Sequence, residues 1–186
     1  MISNKKRILG FVGDLAAGKG TACQYLKERY GINSYRFSTM LRDVLTRLHL
    51  PTSRENLQKI SKLLRENFSQ DLLSQVIKED VINDHEEIVA VEGIRRPTDI
   101  TYLKELNNFH LIYITADPKL RWQRLVERKE NPGDDQKTYE EFLKDEQAEA
   151  DVLIKEFGRQ AEHTITNNGT KEEFFKQIDI LIKKLK

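Results

Sequence analysis

The chain of 186 residues predicts an α/β protein, a three-layer, doubly wound, five-stranded parallel sheet with helices on both faces. Three observations carry this expectation. Short apolar runs alternate with stretches of helical periodicity along the chain, the pattern of repeated strand–helix–strand units. Two runs, Glu87-Ile88-Val89-Ala90-Val91 and Phe109-His110-Leu111-Ile112-Tyr113-Ile114, are nearly continuous in apolar residues, as central parallel strands buried on both faces require. The first run, Ile8-Leu9-Gly10-Phe11-Val12, enters the glycine-rich stretch Gly13-Asp14-Leu15-Ala16-Ala17-Gly18-Lys19-Gly20-Thr21, and a helical stretch follows with Ala22, Leu26 and Tyr30.

A strand, a glycine-rich turn and a helix are the setting of a phosphate-binding loop. Glycines let backbone N–H groups converge on an anion, the helix N-terminus adds positive potential, and Lys19 adds a full charge. The strict pattern places Ser or Thr directly after the lysine as a magnesium ligand; here Gly20 stands there and Thr21 follows.

Past a turn at Gly31-Ile32-Asn33, Ser34-Tyr35-Arg36-Phe37 reads as a short second strand. A helix then opens with Ser38 or Thr39 as cap and carries Met40, Leu41, Val44, Leu45 and Leu48, until Pro51 breaks it. Thr52 and Glu55 have capping-box spacing before a helix with Leu57, Ile60, Leu63, Leu64 and Phe68. A third helix carries Leu72, Leu73, Val76, Ile77, Val81 and Ile82, so residues 38–83 form a helical insertion between two strands. The third strand runs into Glu92-Gly93-Ile94-Arg95-Arg96-Pro97, at the carboxyl end where open parallel sheets place their ligands. Pro97 suits the start of a helix through Leu103 and Leu106. After the fourth strand, Asp117-Pro118 caps a helix from Leu120 to Arg128. The turn-rich stretch 129–137 leads to a capping box, Thr138 with Glu141, and a helix through Phe142, Ala150, Leu153 and Phe157. His163-Thr164-Ile165-Thr166 is the last strand, and Thr170 with Glu173 caps a final helix bearing Phe174, Ile178, Leu181 and Leu185.

The length suits one domain with a real core. A formal net charge of +1 with charged residues at 33% provides no field for wholesale nucleic-acid binding. The apolar run after Lys5-Lys6-Arg7 is too short for a signal peptide and contains the loop, and no stretch approaches a membrane span. A single cysteine, Cys23, excludes an internal disulfide and reads as a small buried residue. A cytoplasmic protein that binds neither membrane nor nucleic acid is expected, as monomer or homodimer. His49, His85, His110 and His163 show no metal-ligand spacing and are assigned no role. Arg54, Arg65 and Arg159 are read as solvated helix residues, Trp122 as packing, and Arg121 is left open between site and surface.

From loop to last helix the chain resembles a nucleoside monophosphate kinase of the adenylate kinase-like family, in the P-loop NTPase superfamily. Gly18-Lys19-Gly20-Thr21 is that family's loop variant, glycine after the lysine included. The resemblance implies a P-loop kinase fold, with 38–83 binding the acceptor and 129–150 as a short lid. It implies ATP and Mg2+, with donor phosphates on Gly13, Asp14, Ala16, Ala17, Gly18, Lys19, Gly20 and Thr21. Arg42, in Ser38-Thr39-Met40-Leu41-Arg42, takes the role of holding the acceptor phosphate. Glu92-Gly93-Ile94-Arg95-Arg96 resembles the family's acidic-Gly-Phe-Pro-Arg segment, so Arg96 contacts the acceptor phosphate and Glu92 supports water ligands of magnesium, with Thr21 a weaker metal contact. Arg124-Leu125-Val126-Glu127-Arg128 matches the lid-edge Arg-Leu-x-x-Arg: Arg124 would stack on the donor base and Arg128 would contact transferring phosphates. Asn168-Gly169 falls beside the donor adenine.

Three departures stand out. Glu92 replaces aspartate, Arg95 replaces proline so that either Arg95 or Arg96 faces the phosphate, and the acidic lid carries no arginine pair. The pattern resembles short adenylate kinase-like proteins that share the Gly-Ile-Arg segment more closely than it does typical adenylate kinases. The expected reaction is phosphoryl transfer from ATP to a nucleoside or deoxynucleoside monophosphate. The alternatives are a hydroxyl kinase, with dephospho-coenzyme A kinase the nearest relative, and a nucleotide-binding regulatory protein with weak ATPase. Asp14 either accepts a proton from an alcohol or bonds to the loop backbone.

Overall fold

Five parallel strands lie in the order β2-β3-β1-β4-β5: β1 Arg7–Gly13, β2 Asn33–Arg36, β3 Ile88–Glu92, β4 Phe109–Thr115 and β5 His163–Thr166. The computed structural model describes residues 6–129, 133–146, 153–155 and 158–185. Alternation along each strand divides the core into two layers. Ile8, Val12, Val89, Val91 and Leu111 face one side, where α2 (Phe37–Arg47), α4 (Leu72–Asn83) and the segment through Ile94, Ile100, Leu103 and Leu106 cover them. Leu9, Phe11, Ala90, Ile112, Ile114 and Ile165 face the other, beneath α1 (Lys19–Tyr30) and the last helix, α7 (Lys171–Lys184). The expected doubly wound sheet is therefore the observed one. β1 sends its helix towards β2 and β4 sends its own towards β5, so a crevice opens above their carboxyl ends.

The insertion between β2 and β3 is three helices, with α3 (Arg54–Asn67) between α2 and α4. Beyond β4 come α5 (Pro118–Arg128) and α6 (Tyr139–Asp145). The caps expected at Asp117, Thr138 and Thr170 are all present, the last two as full capping boxes.

Four details differ from the sequence expectation. First, α2 starts at Phe37, directly off β2, with Arg36 at the N-cap position and no side-chain capping bond. Neither Ser38 nor Thr39 caps it, and Ser38 Oγ accepts from Arg42 Nη1 at 2.8 Å instead. Second, α3 is capped by Ser53, whose side chain accepts from the Asn56 amide. Thr52 and Glu55 make no capping box there; Glu55 pairs with Lys59 at 2.6 Å. Third, Pro97 opens a short 3-10 turn, Pro97–Ile100, followed by further turns and no α-helix. The Asp99 side chain draws the chain back by accepting from the Arg95 and Arg96 amides at 2.9 and 3.0 Å, and Leu103 and Leu106 are buried from turns. Fourth, β2 and β3 each run one residue out of the expected frame, which makes Arg36 and Glu92 the final residues of neighbouring strands. Ala150, Phe157 and, within the expected lid, residues 130–132 and 147–150 lie outside the described residues.

Candidate active site at the carboxyl ends of the strands

The loop is shaped by close approach. A Cβ on Gly13 would stand 2.1 Å from the Ile114 carbonyl oxygen, and one on Gly18, at φ 110°, would stand 2.5 Å from Asn167 Nδ2. The Ala17 amide donates to the Asp14 carbonyl at 3.2 Å, and Ala16 adopts a left-handed φ of 58°, a conformation uncommon for a residue with a Cβ. α1 begins at Lys19 with Gly18 as its cap, no side-chain cap and no acidic residue in its first turn. Its leading amides and its dipole are thus left for an anion. Lys19 Nζ arches back over the loop, donating to the Gly13 and Asp14 carbonyls at 2.7 and 2.8 Å. Gly20 and Thr21 are exposed on the first turn.

Asp14 faces inward, away from both uses expected of it. Its carboxylate accepts from Tyr113 Oη at 2.9 Å and Thr115 Oγ1 at 2.7 Å, both from β4, and lies 3.9 Å from Arg121 Nε. Burial first, and then the Asp14 charge, push the Tyr113 phenol up to about 12, so the hydroxyl keeps its proton and donates. Arg121 is 1% exposed. It donates to the Ala116 carbonyl at 2.8 Å and the Leu15 carbonyl at 3.4 Å, forks onto the buried Glu146 carboxylate, and lies over the Phe142 ring. One arginine therefore joins the phosphate loop to the α6 region. The open question over Arg121 is resolved in favour of a buried tie.

Beside the loop, Arg36 and Glu92 end β2 and β3 in register and form a two-contact ion pair, Nε–Oε1 and Nη2–Oε2 both at 3.1 Å. A Cβ on Gly20 would meet Arg36 Nη2 at 3.5 Å and Glu92 Oε2 at 3.9 Å, which places the pair against the loop. Arg42 is half-buried one helical turn beyond Ser38, and Arg95 and Arg96 are exposed. The Arg95-Arg96 backbone is fixed by Asp99, which is held in turn by Arg65 at 2.7 Å. Arg65 is 7% and Asp99 3% exposed, so the solvated reading of Arg65 is overturned. Its partner lies beyond an entire strand.

On α5, Arg124 is half-buried with Nη1 buried and without a hydrogen-bond partner among the described residues, and Arg128 is exposed at the end of the helix. Asn168 Oδ1 accepts from the Asp117 amide at 2.7 Å, tying the loop after β5 to the start of α5, and Gly169 abuts Glu173 of the capping box. Asn167, passed over in the sequence, is the residue that reaches the phosphate loop, donating from Nδ2 to the Ala17 carbonyl at 2.9 Å. Trp122 packs as expected, donating to the Lys137 carbonyl at 2.8 Å and lying against Tyr139.

Cys23 is buried beneath α1, and burial pushes its thiol far up. No helix among the described residues is long and apolar enough to cross a membrane.

A family model described as an AAA domain matches residues 12–143. The chain is 28% identical to a UPF0200 protein of Sulfurisphaera tokodaii, over 96% of this chain and 97% of that one. It is also 28% identical to a UPF0200 protein of Pyrococcus horikoshii, with 96% and 97% covered. Among solved structures, shikimate kinase from Bacteroides thetaiotaomicron superposes with a TM-score of 0.65 at 15% identity, covering 96% of this chain and 98% of that one. Shikimate kinase from Acinetobacter baumannii, in complex with shikimate, gives 0.55 at 16% identity, with 97% and 96% covered. The fold is thus that of P-loop kinases.

Proposed function

The chain belongs to the AAA domain family, and on that premise we propose that it transfers a phosphoryl group from ATP to a nucleoside or deoxynucleoside monophosphate. The observation that carries this reading is the engagement of both carboxylates beside the loop. Asp14 is buried under two hydroxyls and Glu92 is paired with Arg36. Neither stands free as a general base, whereas arginines gather at the ends of β2 and β3. An anionic phosphate is already a nucleophile and needs cations, not a base, whereas an alcohol needs a base.

In this reading the donor phosphates lie on residues 13–21, with Lys19 leaving its loop carbonyls for the outer phosphates. Arg124, through its unpartnered Nη1, contacts the donor base, and the backbone of Asn168 and Gly169 flanks it. Arg36, Arg42 and Arg96 hold the acceptor phosphate, and Arg128 neutralises the transferring group. Catalysis is then positioning and charge stabilisation, each such contact worth about 3 kcal/mol in the transition state. The chemistry that Mg2+ supplies is charge neutralisation on the donor phosphates. Thr21 and Glu92 are the oxygens of this chain suited to it, Glu92 through water once Arg36 turns to the acceptor.

A hydroxyl kinase is the second reading, favoured by the fold likeness to shikimate kinases. ADP release from ATP, measured with each nucleoside and deoxynucleoside monophosphate and then with shikimate and dephospho-coenzyme A, separates them. Turnover with a monophosphate is expected. Turnover only with an alcohol would replace the first reading by the second, and slow ATP hydrolysis indifferent to every acceptor would favour the regulatory alternative. Arg96→Ala is expected to raise acceptor KM or lower kcat by about a hundredfold with ATP affinity kept.

A further inference from the structure

At the other end of the sheet from the phosphate loop, the fold assembles a group of side chains whose sequence spacing hid it. His110 is the second residue of β4 and His163 the first of β5. His163 pairs with Ile112, two residues beyond His110, so both imidazoles stand on the same face of adjacent strands. Their ring centroids are 6.4 Å apart. Glu162, immediately before β5, places Oε2 2.9 Å from His110 Nδ1. One ligand atom from each residue lies within 4.8 Å of the other two.

We propose that His110, Glu162 and His163 form a binding site for one divalent transition-metal ion of the zinc type. Two imidazoles and a carboxylate are a borderline-soft nitrogen and oxygen set that favours zinc and its neighbours over magnesium or calcium. Tetrahedral zinc with bonds of about 2.1 Å needs ligand atoms roughly 3.4 Å apart, so the half-buried His110 and His163 and the exposed Glu162 would close on the ion by side-chain rotation.

Three protein ligands leave a fourth position, as in zinc sites that hold a water or a small anion. Glu162 and His163 also line a cleft of about 320 Å³ between β5 and α7, with Gln177 and Lys184 among its walls, from which such a ligand would reach the ion. Lys184 opposes the dication and favours an anionic fourth ligand. The ion would pin the edge strand β5 to β4. His110 lies five residues before Thr115, the β4 residue that holds Asp14, roughly 16 Å at the rise of a strand. The site is therefore separate from the phosphate loop.

Titration of the full chain with Zn2+ by calorimetry, and with Co2+ by visible absorption, tests the assignment. The expected result is one Zn2+ per chain with Kd on the order of 1 µM or tighter, and a Co2+ spectrum of low-coordinate type that Zn2+ bleaches. Millimolar Mg2+ should not compete. His110→Ala and His163→Ala, checked for retained far-UV circular dichroism, should each weaken Zn2+ at least about tenfold. Glu162→Gln, a near-isosteric change at an exposed position, should weaken it as well. His85→Ala, in the exposed turn before β3, should not. Lys19→Ala should leave the Zn2+ affinity unchanged. Absence of binding at about 100 µM Zn2+, or binding that survives H110A, H163A and E162Q, would overturn the proposal.

Discussion

At Gly20 a Cβ would meet only Arg36 Nη2 at 3.5 Å and Glu92 Oε2 at 3.9 Å, ordinary contact distances. Glycine inside a helix costs about 0.5–1 kcal/mol relative to alanine. Gly20→Ala is therefore expected to raise thermal stability by up to that amount. Gly18→Ala should lower stability clearly, because φ is 110° there and Asn167 blocks the Cβ. Melting temperatures of the two variants check this opposite pair. Arg121→Met removes the buried cation beside Asp14 and Glu146, at 5% and 7% exposure, and leaves Glu146 with the partly exposed Lys155 Nζ at 3.8 Å. Removing one partner from a buried ion pair costs about 3–5 kcal/mol, which a shift in the urea unfolding midpoint would register. Nothing in the sequence singles out Arg121 from Arg124 and Arg128 on the same helix. Its partners are Asp14 and Glu146, far away in both directions along the chain. The Arg36–Glu92 pair was more legible, since each closes a strand, but a one-residue error in strand ends hid their registration.

Helix caps show where local sequence is sufficient and where it is not. Thr138 with Glu141 and Thr170 with Glu173 stand in polar turns, and both capping boxes form. At Thr52, an equally good candidate one residue along takes the role, and Lys59 draws Glu55 away. Ser53→Ala should cost about 1 kcal/mol and Thr170→Ala a similar amount, while Thr52→Ala should be close to neutral. Urea midpoints of the three variants check the assignment. The segment after Pro97 teaches the same lesson. Its spacing suits a helix, but Asp99 is committed to Arg65 of α3 and to the amides behind it, and the chain turns instead.

Across the whole molecule, polar ties fasten helices to one another and to the sheet. Asp179 of α7 accepts from Tyr25 and Tyr30 of α1 at 2.7 and 2.8 Å, and Asp84 after α4 accepts from Tyr35 and Asn33 of β2 at 2.6 and 2.9 Å. Burial alone would raise both carboxyls, yet these donors hold each below the ordinary value of 3.8. A carboxyl with a lower pKa in the folded state binds fewer protons there, so its stabilisation is complete above the unfolded-chain value and is lost as pH falls through the folded one. Acid unfolding is expected to begin below about pH 4. Tyr35→Phe, which removes one donor to Asp84, should shift the acid midpoint upward, as a circular dichroism titration would show.

By itself the sequence determined the sheet, its two-faced burial and the phosphate loop, because these rest on periodicity and on residues adjacent in the chain. Gly13 to Thr21 is one continuous stretch, and its backbone demands are visible in its glycines. Only the tertiary structure decided what surrounds that loop. Asp14 under Tyr113 and Thr115, Arg121 on Glu146, Arg65 on Asp99, Asn167 on Ala17, and His110 beside His163 join residues 34 or more positions apart, Arg121 and Glu146 excepted at 25. Such pairs are created by strand order and register, which set neighbours in space without leaving a local pattern in the chain.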